Sequence, residues 1–318
     1  LATGVGRLLD FDRGAESVAA GSTELPPRLR TAVAAFEAAR AQPDLELAAL
    51  AGLARLRFIL AVASNYEARA CQGVLDSVAA AERLGPPGAQ LLYWRGQCER
   101  KLGRAAEALT HYAAALQASG GAAAARPAAT DPDEAQLALA MNSLHGLGTT
   151  LIASFDLPDA QVRSALALAE AACAHGGAAA PMRNPRMQLA LACLNRAIEL
   201  RKELHQTPNQ VSGSAENLSF AFLRDGNLPA AFTNAQAVER TGLFAWNELV
   251  RALTAEQLGR GEEFRTASAE ARRNLAFFEI REFNLCEVRE LLSEADFRRA
   301  SEILAETHRG QQVQCVAR

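Results

Sequence analysis

A turn glycine between two short amphipathic runs recurs along this chain, and its spacing limits the folds available. From Ala89 to Gly120 the sequence reads AQLLYWRGQCERKLGRAAEALTHYAAALQASG, with Gly103 at the break. Gly226 and Gly259 mark similar breaks and stand 33 residues apart, and Ala295 follows 36 residues after Gly259. A helix hairpin of two short helices leaves its apolar face uncovered and needs the next hairpin to bury it. Hairpins in series share one continuous core.

Composition agrees with helices. The chain has 318 residues, 49% apolar but only 6% aromatic. Many apolar positions are Ala, the best helix former, whose small side chain lets helices approach closely. No alternating run is long enough for a central strand. The net charge is −3, which argues against nucleic acid or an anionic membrane as the partner. Lys101 and Lys202 are the only lysines, a bias read as compositional.

No apolar run reaches the roughly 20 residues of a membrane span. The six cysteines are Cys71, Cys98, Cys173, Cys193, Cys286 and Cys315. None forms a C-x-x-C pair, and no His stands near them at zinc-ligand spacing. They read as small buried hydrophobes in a cytoplasmic or other reducing compartment. An organelle is the expected alternative if Leu1 is a processed terminus.

In chain order, residues 1–24 read as an irregular arm. Pro26-Pro27 open a helix to about Gln42, burying Leu29, Val33 and Phe36. Leu45–Ser64 follows as an apolar core helix, and Glu67–Leu84 is its partner. After the 89–118 hairpin, residues 120–132 read as an exposed loop. A helix from Asp133 to Ser154 is expected to pair with Leu157–Cys173, whose Leu166, Leu168, Ala169 and Cys173 point inward. A small-residue loop leads to a long helix from Pro185 to about His205, and 206–214 read as a further loop. Hairpins are then expected over 212–243, 245–278 and 281–310, with a polar tail at 311–318.

Close crossing within a hairpin needs small residues. Gly96 and Ala108 supply them in one unit, Ser219 and Ala231 in another. Leu92, Tyr112, Phe222 and Phe232 plug the gaps to neighbouring hairpins. The turn favours glycine, which tolerates a left-handed backbone. This order of small residue, turn glycine and alanine resembles the tetratricopeptide repeat family. The match is close at 89–118 and 212–243, weaker at 245–278, where Phe264 replaces Ala, and weaker again at 281–310. The stretch 133–205 is helical but lacks the motif.

The resemblance implies an all-α fold, a right-handed superhelix of about six to seven antiparallel helix hairpins over residues 25–310. It also implies a non-catalytic scaffold or adaptor that holds a protein or peptide segment on its concave face, as a subunit of a larger assembly. The alternative is a regulatory domain that senses a peptide or ligand and changes curvature. In this family the first helix of each pair lines the groove. The matching positions are Tyr93, Gln97, Arg100 and Lys101; Glu216, Phe220 and Arg224; and Trp246, Leu249, Leu253 and Gln257. Phe220 and Trp246 also suit simple packing between hairpins. Chaperone-tail-binding members use a Lys/Asn clamp where this chain has Tyr93 and Gln97, which argues against that ligand.

No catalytic constellation, cofactor fingerprint or metal motif is expected. Gly4-Val5-Gly6 and Gly146-Leu147-Gly148 lack the strand and third glycine of a dinucleotide site. His145 reads as a buried, hydrogen-bonded histidine. Glu287, Glu290 and Glu294 are spaced for one solvated helical face.

Overall fold

The computed structural model describes residues 24–64, 66–120, 134–173, 181–204, 208–238, 246–277 and 288–305. Among these residues the chain is all-α, with thirteen α-helices, two short 3-10 turns and no strand. Contacts group it into two compact units that meet in sequence between Ala118 and Ser119.

Among the described residues, the first unit holds five helices: α1 Pro27–Ala39, α2 Glu46–Ala63, α3 Ala68–Glu82, α4 Ala89–Lys101 and α5 Ala105–Ala118. Proline in its first turn starts α1, which buries Leu29, Ala32, Phe36 and Ala39. The 3-10 turn Pro43–Leu45 leads into α2. One face of α2 sets Ala49, Leu53 and Leu56 against α1. Its other face sets Leu50, Ala54 and Ala61 against Cys71, Val74 and Val78 of α3. A helix apolar on both faces belongs between two others, and α2 lies there. Leu47 departs from the expected inward pattern and is 43% exposed.

The α4–α5 hairpin closes on Gly103, at φ +74°. The Gly103 N–H donates to the Arg100 carbonyl at 2.9 Å, and the Arg104 N–H reaches back to the Glu99 carbonyl at 2.8 Å. This paired closure satisfies the last carbonyls of α4, and it needs a left-handed residue at its centre. Gly226 and Gly259 repeat it, with Asn227 donating to Phe222 at 2.9 Å and Arg260 to Ala255 at 2.8 Å.

The second unit holds α6 Glu134–Ala153, α7 Asp159–Cys173, α8 Pro185–Glu203, α9 Pro208–Arg224, α10 Leu228–Ala237, α11 Trp246–Gln257, α12 Gly261–Phe277 and α13 Glu294–Leu304. The expected pairing of α6 with α7 is corrected: α6 packs along α8, and α7 lies mainly on α8. The cause is composition. In α6, Leu137, Met141, Leu144, Leu147 and Leu151 are buried, but α7 offers only Val162, Ala165, Ala169 and Cys173. Leu168, expected inward, is 36% exposed.

A disulfide joins Cys173 at the end of α7 to Cys193 within α8. Both were read from sequence as unpaired hydrophobes, and the α7–α8 contact brings them together. Cys71 and Cys98 are buried thiols, while Cys286 and Cys315 lie outside the described residues.

Two further expectations change. The 206–214 loop is replaced from Pro208 onward by α9. In the last expected hairpin, Arg289–Leu291 is a 3-10 turn, and Ala295 lies inside α13 rather than at a turn. Ser293 caps that helix, its Oγ accepting from the Asp296 N–H at 3.0 Å. Glu290 and Glu294 therefore do not share a helical face, and Glu287 lies outside the described residues.

Candidate partner-binding face

Helix α4 carries polar residues on two sides, and each side has its own use. On one, the buried Glu99 carboxylate accepts from Arg95 Nε at 2.9 Å and pairs with His111 Nδ1 at 2.6 Å. Arg95 Nη1 reaches both carboxylate oxygens of Glu82, at 2.7 and 2.6 Å. This network ties α3, α4 and α5 together. Charged groups removed from water need such partners.

The other side of α4 presents Tyr93, Gln97, Arg100 and Lys101, spaced to share a helical face. The Gln97 amide is their hub. Its Nε2 donates to Tyr93 Oη at 2.9 Å, and its Oε1 accepts from Tyr112 Oη at 2.7 Å and Arg100 Nη2 at 3.3 Å. The Tyr93 and Tyr112 ring centroids stand 6.0 Å apart. Phe58 of α2 stacks on Trp94 at 5.5 Å and meets Tyr93 and Tyr66 edge-on at 6.4 and 6.2 Å. Lys101 Nζ lies 5.5 Å from the Tyr66 ring centroid, within cation–π range.

All three tyrosines of the chain are in this cluster. Tyr112 and Lys101 are buried, whereas Phe58, Tyr66, Tyr93, Trp94, Gln97 and Arg100 are half-buried. Tyr66 adopts φ +58°, a left-handed conformation uncommon for a bulky residue. Burial pushes the Tyr66 and Tyr112 hydroxyls well above the usual tyrosine range, with the Arg100 charge opposing. Both phenols therefore remain protonated donors at neutral pH.

The four α4 positions were among the residues expected from sequence; Phe58, Tyr66 and Trp94 were not. Helical spacing identifies neighbours on one helix. It does not show that Phe58, 36 residues away, stacks on Trp94.

The structure uses the second set of expected contact residues differently. Glu216 accepts from the backbone N–H groups of Asn247 and Trp246 at the start of α11. Phe220, Leu249 and Leu253 are 0%, 0% and 1% exposed, and Trp246 is 5% exposed. Arg224 pairs with Asp156 at 2.6 Å and lies 4.6 Å from the Phe155 ring centroid. Gln257 alone among them is exposed, and it donates to Asp296 of α13 at 3.0 Å.

Thus Phe220, Trp246, Leu249 and Leu253 hold the second unit together rather than line an open surface. Part of the reason is local. The turn Arg289–Leu291 packs on α6 and α9, with Val288, Leu291 and Leu292 buried, and α13 packs on α11 and α12. Sequence alone did not place the 3-10 turn, because its residues also fit a short amphipathic helix.

His145 pairs through Nδ1 with Ser214 Oγ at 2.8 Å, linking α6 to α9. Among the described residues no group of three or more His, Cys, Asp or Glu is arranged to hold a metal ion. Among them, too, no helix is long and apolar enough to cross a membrane.

Compared with known proteins, the chain matches no family model and no curated protein.

Proposed function

We propose that this chain is a scaffold of tetratricopeptide-like helix hairpins, stacked as a solenoid, and that the Phe58–Tyr93–Trp94 face of the first unit docks a segment of a partner protein. The observation that carries this reading is the gathering of Phe58, Tyr66, Tyr93, Trp94 and Arg100, all half-buried, over the buried Tyr112 and Lys101. Tyr, Trp and Arg dominate the energetics of protein interfaces, because they offer large rigid surfaces with a polar handle.

The hub at Gln97 supports the same reading. It fixes Tyr93 and Arg100 before a partner arrives, which lowers the ordering cost of association. The three hairpin turns closed by Gly103, Gly226 and Gly259 support the repeat assignment.

The test is co-purification from the native source with Trp94→Ala and Arg100→Glu beside the parent chain. Loss of the same partner from both variants, each still folded with the helix content of the parent by circular dichroism, supports the proposal. Retention of every partner by both variants contradicts it.

A further inference from the structure

Directly behind the aromatic face lies a second pair of cysteines. Cys71 is one turn into α3 and Cys98 is in α4 beside Gln97. Both are 0% exposed and belong to one core cluster with Val74, Val78 and Leu91. The Cys98 thiol hydrogen-bonds Cys71. Cys71 in turn donates from Sγ to the Tyr66 carbonyl at 3.9 Å. The two sulfurs are thus in contact across neighbouring helices. A disulfide would hold the two sulfurs at roughly 2.05 Å.

We propose that Cys71 and Cys98 are a redox modification site, closing to a second disulfide by exchange with a small-molecule disulfide such as oxidised glutathione. One thiolate attacks the external disulfide to give a mixed disulfide and releases one thiol. The second protein thiolate then attacks the attached sulfur, forms the Cys71–Cys98 bond and releases the second thiol. The protein thiols lose two electrons and two protons, and the oxidant gains both.

The consequences follow from position. The bond ties α3 to the helix that carries Tyr93, Gln97, Arg100 and Lys101. It also removes the S–H that serves the carbonyl of Tyr66, whose ring lies under Lys101. The thiol–thiol hydrogen bond and burial both push the Cys98 thiol far up. Thiolate is therefore scarce in the folded chain, and exchange there is slow compared with exchange during folding. The site stands whether or not the aromatic face binds a partner.

The experiment uses the full chain in two arms. One incubates the native protein with oxidised glutathione, and the other refolds it from urea in the same oxidant. Both are quenched with N-ethylmaleimide in denaturant and mapped by trypsin, which places Cys71 in Ala70–Arg83 and Cys98 in Gly96–Arg100. The expected result is a cross-linked pair of these peptides, with maleimide lost from both, in the refolding arm and more slowly in the native arm. Cys71→Ser should restore maleimide to Cys98. Recovery of both peptides fully alkylated in both arms overturns the proposal, as does linkage of either cysteine only to Cys286 or Cys315.

Discussion

A Cβ placed on Gly96 would stand 3.0 Å from the Tyr112 ring, whose hydroxyl is held 2.7 Å from Gln97. The α4–α5 crossing is that close because residue 96 has no side chain. Gly96→Ala gains about 0.5–1 kcal/mol of helix preference but must displace the ring by a few tenths of an ångström. The two effects nearly cancel. Gly148 in α6 differs, because a Cβ there would meet Leu194 Cγ at 2.5 Å and the Ala190 backbone carbonyl at 3.2 Å. Backbone does not yield as a ring does. Gly148→Ala is expected to lose about 1–3 kcal/mol by overpacking. Urea denaturation should show a clear drop for Gly148→Ala and little change for Gly96→Ala.

Glu216 makes stability depend on pH. Burial raises its carboxyl from the ordinary 4.5 to about 8, although the Asn247 and Trp246 N–H groups pull the other way. Between these values the folded chain holds a proton that the unfolded chain has released. Stability therefore falls as pH rises, by up to about 1.4 kcal/mol per unit across that window. Glu216→Gln removes the charged form. Its thermal midpoint should match the parent near pH 5 and exceed it near pH 8. Equal pH slopes for the two proteins would refute the assignment.

Arg186 is a buried guanidinium that serves the turn between α6 and α7. It donates to the carbonyls of Ser154, Phe155 and Leu157 and pairs with Asp159. Arg186→Met keeps the length of the stem but leaves three acceptors without their donor. The expected loss is about 3 kcal/mol, read as a lower urea midpoint.

The Cys173–Cys193 bond closes a short loop, with a sequence separation of 20. Loop-closure entropy assigns such a bond about 3 kcal/mol. Cys173→Ser, or mild reduction, should lower the midpoint of the second unit and leave the first unchanged. Hydrogen exchange of peptides from α8, compared with α4, checks this unit by unit.

Much of the helical layout was legible because its signals are local. Prolines mark the starts of α1 and α8, and Gly103, Gly226 and Gly259 mark turns whose backbone needs them. What remained hidden depends on non-local partners. The α6–α8 pairing and the Cys173–Cys193 bond connect residues across an intervening helix or loop. At the candidate site, the resemblance to the repeat family pointed to Tyr93, Gln97, Arg100 and Lys101 as one face of α4. It gave no access to Phe58 and Tyr66, which reach that face from α2 and from the turn after it. On α9 and α11 the same resemblance marked Phe220, Leu249 and Leu253 as groove positions, with packing between hairpins as the alternative for Phe220. Periodicity finds an apolar stripe without telling which neighbour covers it.

The most direct measurement is site-specific photo-crosslinking in native extract, with a benzophenone amino acid at Tyr93 and, separately, at the exposed Leu168 of α7. Leu168 is outside the aromatic face and 36% exposed. A partner band that appears from position 93, is absent from position 168, and disappears when Arg100→Glu is added is the predicted result. The same bands from both positions, unchanged by Arg100→Glu, would contradict a docking role for this face.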